Sequence, residues 1–385
     1  MRILKFVPYY PPHIWWLESH VAQWSEIRVR QWYGDVMIVT GEYGQEQQGG
    51  SIYTHNGVDI AIIPSKELIA WYPLPAFWTK SFWRMRKQLK NYKADMVHTH
   101  TRFFLFTIMG GIFAKRYHIP RVHIEHGVDF VKLAARWKTM CAWLYDQTLW
   151  RRVFYAADNI VGISEACKRF VHRFTKKPVT VLHRGMDVDF ARLQDIIQHR
   201  LSTSAPEIYH IFFVWRLVAL KWVDYLLHAC ALLQQQWYSN FDLCIIGEWD
   251  HKKTLQILCH ELWLDAYVKF AWKLEKEQIL YTSLPGAHVL VNPSFQEWLP
   301  TSVLEWLLTG CVVVASDVWG TAEISSKDDL ILIKPGNASL LADALLKAMK
   351  EYTTRRWLSY ASLVDEFDWS HILKKYDAAF TWMHF

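Results

Sequence analysis

Short, largely apolar runs alternate along this chain with longer stretches in which apolar residues recur every three or four positions. Residues 2–7, 35–40, 58–63, 96–99, 121–125, 159–163 and 179–183 show the first pattern, that of strands buried on both faces. Residues 17–31, 77–92, 103–117, 133–156 and 165–174 show the second and predict helices. Strand and helix in regular alternation imply a parallel sheet covered by helices on both sides. Residues 41–57 are polar and glycine-bearing and predict a loop, and the polar stretch 185–206 predicts a junction between domains. The alternation then restarts. Strands are expected at 209–214, 241–246, 268–270, 289–291, 311–316 and 330–333, and helices at 223–236, 252–262, 276–283, 338–352, 355–364 and 371–380. A further helix starts near Pro300, a residue suited to a first turn because its missing N–H would be unpaired there anyway, and stops at Gly310. Two doubly wound units facing each other would take ligands at the carboxyl ends of their strands, in the cleft between them.

Composition narrows this picture in a few places. With 52% hydrophobic and 21% charged residues over 385 positions, the chain can bury sizeable cores. A net charge of +6 suits anionic partners such as a phosphorylated substrate or a membrane surface, and nothing resembles a nucleic-acid module. The apolar run before Pro8 is too short for a signal peptide, and the run at 103–114 falls well short of the roughly 20 residues of a spanning helix. Cys141, Cys167, Cys230, Cys244, Cys259 and Cys311 are scattered, which reads as reduced thiols in a cytoplasmic protein. No histidine-carboxylate cluster argues for a metal.

The candidate chemistry gathers after the restarted strands. Glu297 and Glu305 stand eight positions apart, one in a loop and one on the helix that follows. Spacing alone favours an ordinary loop charge and a solvated helix residue. Arg216 and Lys221 follow the first strand of the second unit, where two cations on one loop can clamp a diphosphate and neutralise charge as it leaves. Together these residues resemble the signatures of the retaining glycosyltransferases of family 4, group 1 glycosyl transferases with the GT-B fold. The family has glutamate, seven residues, glutamate, matched by Glu297 and Glu305, and Gly-Arg-Leu, three residues, Lys-Gly, matched by Arg216 and Lys221. Gly247 stands where the family has a glycine near the nucleotide, and residues 12–18 resemble its loop Pro-x-x-Gly-Gly-x-Glu, with Trp15 and Trp16 at the glycine positions. His126-Gly127 matches its His-Gly loop near the sugar.

The resemblance implies an α/β GT-B enzyme with two Rossmann-like, doubly wound parallel-sheet domains around a central cleft. Residues 1–188 would form the acceptor side, 189–369 the donor side, and a helix in 370–385 would return to the first domain. It implies transfer of a sugar from a nucleoside diphosphate donor, UDP- or GDP-linked, to a hydroxyl acceptor with retention, in cell-envelope polysaccharide or glycolipid synthesis. His126, Glu297, Arg216 and Lys221 would be catalytic. Arg216, Lys221, Gly247, Glu297, Leu299, Pro300, Glu305, Trp15 and Trp16 would line the donor site, with Glu305 on the ribose hydroxyls. His13, His100 and Arg102 are acceptor candidates, and His98 and Ser164 lie at neighbouring strand ends. No cofactor and no metal are implied. The partners are a nucleotide sugar, a lipid-linked or glycan acceptor and, through the basic amphipathic stretch 77–93, an anionic membrane at the inner face of the plasma membrane. For that stretch a solvated outer helix is an equal reading. A nucleotide-sugar epimerase of the same fold is an alternative, and a phosphorylase is disfavoured for want of a pyridoxal-phosphate lysine motif.

One departure is systematic. The chain has 22 tryptophans and only 16 glycines, against an ordinary glycine share of about 7%. Trp15, Trp16, Trp32, Trp150, Trp215, Trp222, Trp249, Trp263, Trp272, Trp298 and Trp319 all stand where the family or local turn chemistry asks for glycine, and Trp237 and Trp306 are further candidates. Decoding UGA as tryptophan in a lineage that reads it as glycine would produce this pattern. With real tryptophans, several would fill the phosphate pocket, and the chain would be a non-catalytic glycan- or membrane-binding relative.

Overall fold

A computed structural model describes every residue except 14–15, 43–47, 70–71, 131–135, 187, 215–221, 248–250, 273, 296, 298–299, 319, 325–329, 357–362, 364–366 and 382–385. The chain forms two compact units, one of Met1–Gly185 with Trp369–Phe385 and one of Met186–Asp368.

The strands of unit 1 are β1 (Ile3–Phe6), β2 (Val36–Gly41), β3 (Ile52–His55), β4 (Val58–Ile63), β5 (Ser65–Ile69), β6 (Tyr72–Pro75), β7 (Met96–His100), β8 (Arg121–Glu125), β9 (Asn159–Gly162) and β10 (Val179–Val181). Its helices are α1 (Trp16–Arg30), α2 (Lys80–Asn91), α3 (Leu105–Tyr117), α4 (Arg136–Tyr145), α5 (Arg151–Ala156) and α6 (Glu165–Val171). Among the described residues the main sheet has eight strands in the order β10-β9-β8-β7-β1-β2-β4-β3, parallel except for β3 against β4. Side chains alternate between its faces. Leu4, Phe6, Val39 and Val97 pack under α2 and α3, while Ile3, Val7, Ile38 and Ile124 pack under α1, α6 and the last helix of the chain.

Unit 2 repeats the plan with β11 (Tyr209–Val214), β12 (Phe241–Ile246), β13 (Val268–Ala271), β14 (Val289–Asn292), β15 (Val312–Ser316) and β16 (Leu330–Ile333). Its helices are α7 (Phe190–Ser202), α8 (Val223–Gln235), α9 (Lys252–Glu261), α10 (Lys276–Gln278), α11 (Thr301–Leu308), α12 (Ala338–Lys350) and α13 (Tyr352–Arg355). The strand order β13-β12-β11-β14-β15-β16 is all parallel and reverses direction between β11 and β14. In an open parallel sheet, that reversal is where ligands bind, just beyond the carboxyl ends of the two central strands. The closing helix α14 (Trp369–Thr381) belongs to unit 1, where Ile372, Leu373, Tyr376 and Phe380 enter the core beneath α1.

Three expectations change. The junction expected at 185–206 contains α7, a helix whose Leu193, Ile197 and Arg200 are buried at a spacing of four and three, and whose Asp189 caps it by accepting from the Arg192 N–H at 3.1 Å. Its polar composition reflects one wide solvent face. The loop expected at 41–57 holds β3, whose four side chains are all exposed, so apolar alternation does not reveal it. The long helix expected at 133–156 is interrupted by a π-helical turn, Asp146–Trp150.

Candidate functional site

The candidate residues read from the sequence that the structure describes fall at or near the carboxyl edges of the two sheets. In unit 2, the loop after β11 carries Arg216 and Lys221, which lie outside the described residues, as do Leu299 and Trp15. Trp16 opens α1. Gly247 directly follows β12 and is buried. The loop after β14 begins at Asn292, whose side-chain amide donates to Glu297 Oε1 at 3.3 Å and whose Oδ1 accepts from the Ser294 hydroxyl at 2.6 Å. Glu297 is thus drawn inward, with only 8% of its surface exposed. Pro300 is the N-cap of α11, and Glu305 lies on that helix, half-buried. The helix is fixed from below by Val303, Leu304, Trp306, Leu307 and Leu308, all buried. Glu297 and the start of α11 therefore stand together at the β14 end of the switch point. Across that point the Trp222 ring, at the N-cap of α8, stacks on Phe295 at 4.0 Å.

In unit 1 the described candidates lie on four loops of the equivalent edge, those after β1, β7, β8 and β9. His13, in the loop after β1, stacks on Tyr9 at 4.2 Å and places Nδ1 2.9 Å from Glu18 Oε1, which accepts. Ser164 follows β9 and caps α6, accepting from the Cys167 N–H at 3.1 Å. His126 follows β8 and His100 ends β7; both are fully buried, with His100 Nδ1 and His126 Nε2 3.1 Å apart and the rings stacked. His20 of α1 meets the His126 ring edge-on at 5.1 Å. His98 lies deeper in β7, opposite Lys5 in the register and between Trp24 and Phe380. Lys5 Nζ sits 3.3 Å above the Trp24 ring.

Burial is the largest cause of the depressed basicity of these groups, with neighbouring cations adding to it. It pushes His20, His98 and His100 well below the ordinary imidazole range, lowers Lys5 well below the usual ammonium value, and takes His126 to about 3 even though Glu125 pulls the other way. His100 and His126 are therefore neutral imidazoles that share one hydrogen bond.

Beneath His126 lies a feature that sequence reading missed. Glu125, the last residue of β8, accepts the backbone N–H groups of His126 at 3.0 Å and Gly127 at 2.7 Å on one oxygen, and the Arg102 N–H at 3.1 Å on the other. The Arg102 guanidinium approaches Glu125 at 3.4 Å, binds both oxygens of Asp146 at 3.0 and 3.1 Å, and donates to the Asp129 carbonyl at 3.2 Å. All three ionic side chains are buried. Burial alone would raise the Glu125 carboxyl, but Arg102 and the hydrogen bonds from His123 and Gly127 outweigh it and hold it at about 2. Asp146, with fewer donors around it, is raised by its burial despite Arg102. The guanidinium of Arg102 is thus held by carboxylates of its own unit. An isolated glutamate at a strand end gives no sequence signal of such a triad.

Comparison with known proteins matches these two units to two families in turn. Residues 28–190 match Glycosyltransferase Family 4, and residues 197–363 match Glycosyl transferases group 1. An uncharacterized glycosyltransferase of Methanocaldococcus jannaschii is 26% identical over 99% of this chain and 98% of its own length. A D-inositol 3-phosphate glycosyltransferase of a Nocardioides strain is 27% identical over 73% of this chain and 66% of its own. Among solved structures, sucrose-phosphate synthase from Thermosynechococcus elongatus superposes with a TM-score of 0.74 at 16% identity over 100% of this chain and 99% of that one. Anabaena HepE in complex with UDP gives 0.74 at 16% identity over 99% and 100%. The chain carries a family 4 domain followed by a group 1 domain, and it belongs to the glycosyltransferases of the GT-B fold.

Proposed function

We propose that the chain transfers a glycosyl group from a nucleoside diphosphate sugar to a hydroxyl acceptor with retention at the anomeric carbon, in the synthesis of cell-envelope polysaccharide or glycolipid. The observation that carries this reading is the placement of Glu297, Pro300 and Glu305 at the switch point of the unit 2 sheet, in a chain whose sequence puts Arg216 and Lys221 directly after β11. The UDP found in the Anabaena structure supports a nucleotide donor. Arg216 and Lys221 neutralise the departing diphosphate, so no metal is required. The bond from the anomeric carbon to the phosphate oxygen breaks and its electron pair stays on that oxygen. The acceptor oxygen bonds to the same face of the sugar, and its proton passes to the leaving phosphate. Glu305 accepts from the ribose hydroxyls, while Glu297, with the N–H groups near Leu299 and Pro300, lies by the sugar.

Incubation with UDP- and GDP-sugars and a panel of hydroxyl acceptors tests this, with the product anomer read by NMR. Product of inverted configuration, or release of an isomerised sugar nucleotide without acceptor, defeats it. Lys221→Ala is expected to lower turnover on the order of a hundredfold, and unchanged turnover removes that lysine from the reaction.

The acceptor is proposed to be held at an anionic membrane. Among the described residues no helix is long and apolar enough to cross a bilayer. On α2, however, Phe82, Met85 and Leu89 are buried while Trp83, Lys80, Arg84, Lys87 and Lys90 are exposed beside an exposed Trp78. An indole among cations suits the headgroup layer. Co-sedimentation with phosphatidylglycerol vesicles, lost with phosphatidylcholine and in high salt, is expected; equal sedimentation with both lipids counts against it.

A further inference from the structure

We infer that Glu125 is a positioning residue, which holds the backbone of the His126-Gly127 loop in place. Its Oε1 takes the two successive N–H groups of that loop, at 3.0 and 2.7 Å, and its Oε2 takes the backbone N–H of Arg102 at 3.1 Å. Arg102 and Asp146 complete a buried frame that ties the loop after β7, the loop after β8 and the π-helical turn. A carboxylate with both oxygens committed to backbone donors fixes the chain more closely than side-chain packing does. The step from loop geometry to catalysis rests on the proposed function; the geometry itself does not.

Hydrogen exchange of Glu125→Gln measures the loop directly. The amides of 126–130 are expected to exchange roughly tenfold faster or more than in the parent, with unit 2 unchanged; unaltered protection of 126–130 overturns the inference. Glu125→Asp, which keeps the charge but draws the carboxylate back from the loop donors, is the second variant should the first fail to fold, and the same two outcomes decide. In the activity arm, Glu125→Gln is expected to lower kcat with nucleoside diphosphate affinity kept. Loss of activity in the parent itself would count against the proposed function alone, since the exchange result stands apart from it.

A separate observation carries a second inference. Helices α1, α8 and α9 end alike. Trp32, Trp237 and Trp263 stand just past them with φ of 61°, 67° and 58°. Each next residue donates back five positions, Tyr33 to Arg28 at 3.1 Å, Tyr238 to Leu233 at 3.0 Å and Leu264 to Cys259 at 3.0 Å. This left-handed closure favours glycine, because a Cβ is crowded there, although α3 closes the same way on His118 at φ 55°. Helix α11 closes in the left-handed region on a glycine, Gly310 at φ 72°. The three indoles are 93%, 93% and 81% exposed, so packing does not offset the strain. Trp222, at φ 51°, shares the left-handed backbone but at the N-cap of α8. By contrast Trp24 and Trp306 are core residues with 1% and 2% exposure and no left-handed backbone.

We infer that the polypeptide made in its own cell carries glycine at 32, 222, 237 and 263. Peptide mass mapping of the natively expressed protein is expected to show glycine at each, and tryptophan at 237 or 263 overturns the inference. In recombinant protein, the triple variant Trp32→Gly, Trp237→Gly, Trp263→Gly is expected to melt several degrees higher than the chain as written; an equal or lower midpoint overturns it as well.

Discussion

Arg102 is ionised in the interior because two buried carboxylates and a carbonyl surround its guanidinium. Removing one member leaves the others without a counter-charge, whereas removing all three removes the desolvation together with the attraction. Arg102→Met is therefore expected to cost about 3–5 kcal/mol by urea denaturation, and replacing Arg102, Glu125 and Asp146 together by apolar residues of similar volume less than that. A triple variant less stable than the single one would show that the frame is net stabilising. At this scale, strand ends were legible from the sequence: His126 does follow β8 and His100 does end β7. The partners of a strand-end side chain were not. Periodicity says which face a residue occupies, but Arg102 meets Asp146 forty-four positions away, across a π-helical turn that no local pattern announces. Trp222 poses the converse case. Its ring against Phe295 occupies the point between the loops after β11 and β14. Trp222→Gly is expected to raise the affinity for UDP at least several-fold by calorimetry, and unchanged binding would place the nucleotide elsewhere.

Among the elements, those buried on both faces were read most directly, since β1, β2, β14 and β15 are mostly apolar and every residue in them is buried. Elements with a wide solvent face were not. Helix α7 was hidden in a polar stretch, yet it is firmly held: Arg200 donates to the carbonyls of Leu284 at 2.8 Å and Pro285 at 3.1 Å and to the Tyr352 hydroxyl at 3.2 Å. Those carbonyls end the segment before β14, so α7 braces the strand whose loop carries Glu297. The helix begins on an exposed Asp189 cap. Asp189→Ala is expected to cost about 1 kcal/mol in chemical denaturation with turnover preserved. A loss of turnover with no loss of stability would mean that Asp189 has a role beyond capping.

For the whole molecule, the two units differ in what they bury. His20, His98, His100 and His126 of unit 1 are all enclosed and held neutral, chiefly by desolvation, with Lys5, Arg28 and Arg184 nearby disfavouring a further positive charge. In unit 2, His288 is lowered less far, to about 4, by burial and then by Arg200. Each buried imidazole of unit 1 takes its proton below the pH at which the unfolded chain takes it. The unfolded state therefore binds more protons as pH falls through 6.5, and stability falls with it, by about 1.4 kcal/mol per group per pH unit. Glu125 has the opposite charge but acts in the same direction lower down: held at about 2, it contributes fully above the unfolded value of 4.5 and is lost only below it. The interval from pH 7.5 to 5.5 thus isolates the imidazoles. Calorimetry over that interval is expected to show the unit 1 transition moving to lower temperature by more than the unit 2 transition, with hydrogen exchange assigning each. His98→Phe should lessen the shift of unit 1, because its two ring nitrogens have no partner among the described residues and it packs between Trp24 and Phe380. Equal shifts of both transitions would mean that the imidazoles take up protons in the folded state, and that water reaches the interior beneath α1.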